Sequence, residues 1–203
     1  MAINSHGLKS YSGGWSDGKW NGHGKVEYDG WNYEGGWKMG KKEGYGILTR
    51  TDGLRFEGGW QADSRHGYGK STSDGLSYDG GWKENEREGY GLQTYKMNEQ
   101  YVGGWKGGKA NGYGESDYSN GNRFLGGFKD DERCGYGIWV ENTETIYKGG
   151  WRESTWEGYG QLNSQKGSKY EGGFKKGKFY GYGLREAKNQ VYDGGWKMNK
   201  RHG

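Results

Sequence analysis

A period of 22 or 23 residues runs through this sequence and decides what the chain can fold into. The stretch Tyr33–Gly46, YEGGWKMGKKEGYG, is a clear copy of the unit. Its head, aromatic-x-Gly-Gly-aromatic, begins at Tyr11, Tyr33, Phe56, Tyr78, Tyr101, Phe124, Tyr147, Tyr170 and Tyr192. A Gly-x-Gly follows at a fixed distance: Gly22/Gly24, Gly44/Gly46, Gly67/Gly69, Gly89/Gly91, Gly112/Gly114, Gly135/Gly137, Gly158/Gly160 and Gly181/Gly183. Eight copies are complete, and a ninth stops at Gly203, where its Gly-x-Gly would begin. A fixed period of this length marks a stacked repeat array, whose units bury their apolar surface only against one another.

Within a copy the head alternates. Period two puts Tyr33, Gly35 and Trp37 on one face of a strand and Glu34, Gly36 and Lys38 on the other. A polar tip follows, centred on Gly18, Gly40, Asp63, Asn85, Gly108, Asp131, Ser154, Gly177 or Asn199. Most of these residue types tolerate the positive φ of a hairpin tip. A second strand runs from the Gly-x-Gly, and a second turn such as Asp52-Gly53 or Asp74-Gly75 leads to the next head. Each copy therefore reads as a β-hairpin. The chain reads as all-β: an elongated, twisted, single-layer antiparallel meander with no helical domain. Residues 1–10 read as a polar leader before an array spanning 11–203.

Composition sharpens this. Leu, Ile, Val and Phe number only 21 among 203 residues, too few for an aliphatic core. The 11 Trp and 18 Tyr, held in register, must replace it, while 46 Gly and no Pro suit packed strands rather than a linker. A glycine beside an aromatic lets the ring lie over bare backbone. A lone hairpin of this kind should not fold. Cys134 is the single cysteine, so no intrachain disulfide forms, which fits a reducing compartment. With a polar N-terminus and no apolar run of membrane-spanning length, the expectation is a cytoplasmic protein.

The unit Tyr-x-Gly-Gly-Trp-Lys-x-Gly-Lys-x-x-Gly-Tyr-Gly resembles the MORN (membrane occupation and recognition nexus) repeat, over residues 11–203. One departure is consistent. Glycine stands where that family often has Glu, at Gly14, Gly36, Gly59, Gly81, Gly104, Gly127, Gly150, Gly173 and Gly195. The resemblance implies an elongated open sheet with a groove. It also implies a scaffold role, as in cytoskeletal proteins, ciliary (axonemal) radial-spoke heads and membrane junctions.

Candidate site residues fall into three groups. Tyr33, Trp37, Tyr45 and their equivalents are read as core. Aromatics outside the repeated slots, Trp20, Trp31, Trp139, Trp156 and Phe179, are candidate partner contacts, with packing at the tips as the alternative. The residue after each Gly-x-Gly alternates polar and apolar, and its apolar members Ile47, Leu92, Ile138 and Leu184 are a second candidate contact row. Lys38, Lys83, Lys106, Lys129, Arg152, Lys175 and Lys197 follow the second head aromatic and stack as a basic row. That row is the candidate site for acidic phospholipid, a peripheral membrane role that the family name invites. Interleaved acids such as Glu34, Glu57, Asp79, Glu171 and Asp193 argue instead for a solvated face, and no unbalanced basic groove points to nucleic acid.

Catalysis finds no support: His6, His23, His66 and His202 have no metal-ligand spacing, Cys134 has no dedicated base, and no cofactor or metal is implied. The half repeat at 192–203 leaves a strand edge, so self-association or capping by a partner is expected there. The reading is a non-enzymatic scaffold or protein-interaction module.

Overall fold

The computed structural model describes residues 7–141, 144–165 and 167–202. Eighteen strands form one antiparallel meander that does not close. They come as hairpins: β1 (Leu8–Ser16) with β2 (Lys19–Tyr28), β3 (Trp31–Lys38) with β4 (Lys41–Arg50), β5 (Arg55–Gln61) with β6 (Ser64–Ser73), and β7 (Leu76–Lys83) with β8 (Glu86–Thr94). Next are β9 (Gln100–Lys106) with β10 (Lys109–Asp117), β11 (Arg123–Lys129) with β12 (Glu132–Glu141), and β13 (Thr145–Arg152) with β14 (Thr155–Asn163). The last are β15 (Lys169–Lys175) with β16 (Lys178–Ala187) and β17 (Gln190–Lys197) with the short β18 (Lys200–Arg201). β1 takes in the last three residues of the segment read as a leader; residues 1–6 of that segment, His6 among them, lie outside the described residues. The chain divides into two units, Met1–Lys96 with Trp105–Gly108, and Met97–Gly104 with Lys109–Gly203.

The tips behave as the sequence requires. All nine central tip residues have positive φ, from Ser154 at 59° to Gly40 at 80°. The residue before each is also left-handed, as in Asp17 (49°) and Met39 (51°), which makes two-residue type I′ turns matched to the strand twist. The tips do more than turn. In the first unit the amide of Asp63 donates to Lys42 O, and Lys42 N donates back to the Asp63 carboxylate at 2.9 Å. Asn85 makes the same pair of bonds with Arg65, and in the second unit Asn199 does so with Phe179. Each such side chain imitates one more rung of backbone pairing, so a tip is stapled to the hairpin before it.

Behind the tip, each complete copy whose strand register is described carries a bulge, the β9–β10 copy aside. Gly35 pairs with Gly46 and Trp37 with Lys42, so Gly36 alone faces Glu43, Gly44 and Tyr45. Gly44 takes up the kink at φ 72°. The bulge brings the Glu43 carbonyl against Gly36, where an added Cβ would lie 2.0 Å from that oxygen. The glycine that replaces the Glu often found at this position in the resembled repeat is therefore required by the local backbone.

One face of each unit is closed by its own rings. In the first unit the Tyr33 ring meets Trp37 at 5.1 Å and Trp60 at 5.4 Å, both edge to face. Phe56 stands likewise between Trp60 and Trp82, and Tyr78 between Trp82 and Trp105. In the second unit the chain of contacts runs Phe124–Trp151–Tyr147–Phe174–Tyr170–Trp196. Each such pair contributes about 0.5–1.5 kcal/mol beyond the area it buries. The head ring lies on the second glycine of the Gly-x-Gly, where a Cβ at Gly46 would sit 2.2 Å from the Tyr33 hydroxyl. Most ring polar atoms are satisfied locally: Tyr33 Oη donates to Gly36 O (3.1 Å), and Trp60 Nε1 donates to Gly46 O of the previous hairpin (3.2 Å), whereas the buried Trp20 Nε1 has no partner among the described residues.

The first hairpin measures what a neighbour supplies. Trp15 occupies the same slot as Trp37 but has no described hairpin before it, and it is 57% exposed against 5%. Half of a Trp surface is on the order of 120 Å², or about 3 kcal/mol per added hairpin from this slot alone.

Candidate interaction surface

The other face is open, and its commonest large residue is tyrosine. Because Gly46 pairs with Gly35 on the ring-lined face, Tyr45, one residue earlier, must point the opposite way. Reading Tyr45 and its equivalents as core is therefore corrected: Tyr45, Tyr68, Tyr90, Tyr113, Tyr136, Tyr159 and Tyr182 are 61–69% exposed. Three of these rungs stand in the first unit and four in the second. Tyr45 and Tyr68 in the first unit, and Tyr113, Tyr136, Tyr159 and Tyr182 in the second, each sit opposite a glycine of the next strand, as Tyr45 opposite Gly59 and Tyr159 opposite Gly173, so the ring has bare backbone beneath it.

Four rungs are tied to a carboxylate diagonal to them. Tyr45 donates to Glu57, Tyr68 to Asp79 and Tyr159 to Glu171, and Tyr182 is hydrogen-bonded to Asp193. These bonds hold all four phenols above their usual pKa, and the Tyr45 bond, with help from Arg55, holds the Glu57 carboxyl below its own. The diagonal place beside Tyr113 is filled by Leu125, and that beside Tyr136 by Lys148. No hydrogen bond from either phenol is found among the described residues.

The two candidate contact sets lie on opposite faces. Ile47, Leu92, Ile138 and Leu184 stand on the open face, in the row of Glu57, Asp79, Lys148 and Glu171: Ile47 opposite Glu57, Leu92 opposite Asp79, Ile138 opposite Lys148 and Leu184 opposite Glu171. Trp20, Trp31, Trp139, Trp156 and Phe179 stand on the closed face. Trp20, Trp156 and Phe179 share one slot and lie flat on the head rings Tyr11 (4.4 Å), Tyr147 (4.4 Å) and Tyr170 (3.7 Å). Trp20 is 5% exposed, so it covers a ring rather than presenting one. In other copies the same slot holds Lys42, Arg65, Arg87 or Arg133, whose cations cover the same rings; the Arg87 guanidinium lies 4.0 Å from the Trp105 centroid. Trp31 stacks on Tyr28, and Trp139 packs against Tyr118 and Trp151. Trp20, Trp156 and Phe179 departed from the repeat pattern because the covering slot accepts a ring, a cation or, at Ala110, a small side chain, which one sequence column does not disclose.

The basic row is on the open face near the tips. Lys38, Lys83, Lys106, Lys129, Arg152, Lys175 and Lys197 are all exposed, and none forms an ion pair among the described residues. Lys38 and Lys83 stand with Lys106 in the first unit and the other four in the second. Cys134 has one near cavity, about 410 Å³, lined also by Lys129, Glu132 and Arg152. Among the described residues no cluster of His, Cys, Asp and Glu could hold a metal.

The sequence profile of the MORN repeat matches residues 11–32, 33–55, 56–76, 78–99, 101–123, 124–140, 170–189 and 192–203. Residues 147–169 are not among those segments, yet β13 and β14 carry the same head-ring contacts and the same left-handed glycine, Gly158 at 78°. No curated protein matches the chain.

Proposed function

Because the chain belongs to the MORN-repeat family, one of protein-interaction and membrane-associated repeats, we propose that it is a non-enzymatic scaffold that docks protein partners on its open face. One observation carries this reading. The head rings of the closed face are packed against one another, with cavities left beside Trp31 and Leu48 and beside Leu76 and Tyr78, while the open face repeats an exposed tyrosine in seven copies where no core requires it. Exposed rings of one kind at regular spacing are anchor material for a protein surface. The proposed setting is a cytoskeletal or ciliary assembly, supported by the family resemblance alone. Capture of partners from native extract tests the docking face. The Tyr136→Ser/Tyr159→Ser double variant should lose partners that the parent retains; an unchanged set would place docking elsewhere. Retention of the protein in the detergent-insoluble cytoskeletal fraction, or its absence there, tests the setting.

The unpaired basic row favours a second reading, peripheral association with acidic phospholipid through Lys38, Lys83, Lys106, Lys129, Arg152, Lys175 and Lys197. Each such cation near an anionic surface is worth about 1 kcal/mol. Sedimentation with phosphoinositide vesicles at physiological salt decides it, since a protein left in the supernatant does not act this way.

A further inference from the structure

We infer that the open-face tyrosines are a docking ladder for a proline-rich segment of a partner, with a basic residue at one end, in polyproline II conformation, laid across the strands. The inference rests on the open face being the docking face. Three observations select the occupant. The first is spacing. Neighbouring rungs are two strands apart, about 9.6 Å at ordinary strand spacing. A polyproline II helix repeats every three residues, about 9.3 Å, so every third residue meets one ring. Neighbouring strands turn by roughly 20–25°, so successive rungs turn by about 45° and a straight ligand meets two or three of them. The natural ligand length is therefore on the order of ten residues.

The second is hydrogen bonding. Tyr113 and Tyr136 point phenol O–H donors into solvent with no acceptor among the described residues. A bound α-helix has spent its carbonyls internally, and an added β-strand needs a free sheet edge, which a sheet face does not offer. A polyproline II backbone has no internal hydrogen bonds, so its carbonyls remain available to those donors. The third is charge. Glu171 beside Tyr159 and Asp193 beside Tyr182, like Asp79 beside Tyr68, each accept one phenol and keep lone pairs for a cation, whereas Glu57 beside Tyr45 already holds Arg55. A ligand seated on Tyr113, Tyr136 and Tyr159 meets such a carboxylate only at its Tyr159 end, which places a basic residue at that end of the proline run.

The test uses the full chain and a fluorescent ten-residue peptide, Arg-Pro-Pro-Ala-Pro-Pro-Ala-Pro-Pro-Arg, with a Gly-Ser control of the same length and termini. Anisotropy should show saturable binding of the first and none of the second. Tyr136→Ser/Tyr159→Ser should weaken it by at least about tenfold. Glu171→Gln should weaken it a few-fold and flatten its salt dependence. Far-ultraviolet dichroism of each variant should match the parent, as exposed substitutions predict. Absence of binding at millimolar peptide overturns the inference, as does binding that the tyrosine substitutions leave unchanged. If those substitutions abolish capture of a natural partner that the peptide does not displace, the docking face stands and the polyproline ligand falls. If they abolish self-association while the peptide fails to bind, the face belongs to a second copy and the inference is overturned.

Discussion

Tyr33 and Tyr45 stand on the same hairpin and have opposite fates. Tyr33 is fully buried, set between two indoles and hydrogen-bonded to Gly36 O, and burial drives its phenol well above the usual pKa. Tyr45 is 61% exposed, rests above the glycine of the next strand and bonds a solvated carboxylate. Both recur with the period. The difference teaches that repetition alone does not mark a core residue in such an array. The closed face repeats because each ring needs its neighbour, and the open face repeats with no such need.

The largest expected effect comes from filling the space that the closed face leaves for its rings. Gly46→Ala would place a methyl 2.2 Å from Tyr33 Oη, and Gly36→Ala would place one 2.0 Å from the Glu43 carbonyl oxygen. The second cannot be relieved by a rotamer change, so the bulge must open. Either variant should break pairing between β3 and β4, seen as loss of amide protection through that hairpin in hydrogen exchange. Gly44→Ala meets nothing within 4 Å and should cost only the left-handed penalty, about 1–2 kcal/mol. If all three behaved alike, the steric account of the closed face would be wrong.

Next in size is Trp60→Ala. It removes an indole shared by Tyr33 and Phe56, and its hydrogen bond to Gly46 O. A loss of about 3–5 kcal/mol is expected in urea unfolding. Because stability is shared between neighbours, exchange should rise on both flanking hairpins and stay native farther along.

Alkaline titration separates the faces without mutation. Burial holds the Tyr78 and Tyr170 phenols up to about 12. The unfolded chain ionises its tyrosines near pH 10, whereas the folded chain keeps these two protonated to about 12. Their contribution is therefore complete below pH 10 and is lost as pH rises from 10 toward 12. The open-face phenols are raised chiefly by their hydrogen bonds to neighbouring carboxylates, with a smaller contribution from the carboxylate charge that salt screens. An alkaline unfolding midpoint that does not move between low and high salt assigns the transition to the closed face.

How much of this was legible beforehand follows from geometry. The period gave the hairpins, and the tip residues gave the turns, because Gly, Asn and Asp at fixed places have few other uses. The face of Tyr45 was also within reach, since alternation from Gly46 requires it, but grouping aromatics by type concealed it. The bulge was not legible, because a glycine kept for want of space reads the same as one kept for φ. Nor was the covering slot, where Trp20, Arg65, Phe179 and Lys42 look unrelated until the ring beneath them is seen. The stapling tips were half legible: Asn85 was expected for its φ, and its side chain's bond to Arg65 N was not.

That staple gives a smaller effect. Asn85→Gly keeps the left-handed tip and removes only the carboxamide oxygen that accepts from Arg65 N at 2.9 Å. The expected loss is about 1 kcal/mol, measured as a shift in urea midpoint with unchanged slope. Gly40 already lacks this acceptor and keeps only its backbone bond to Trp20 O, so the array tolerates the loss.

The smallest stability effect is expected where the proposed function is concentrated. Tyr68→Ser removes an exposed ring and one phenol–carboxylate bond, and it leaves Asp79 free to be hydrated. No buried donor is orphaned and no cavity forms, so stability should change by no more than about 0.5 kcal/mol. Tyr78, ten residues on and buried at 3% exposure, should cost several times more when changed to the same residue. The pair forms a contrast within one hairpin-to-hairpin step, with the residue type held constant. A large loss at Tyr68 would mean that the open-face ring braces the bulge beneath it, and its recurrence would then have a folding cause rather than a binding one. A small loss leaves seven exposed rings that the fold does not need, which is the condition under which a partner is the reason they are there.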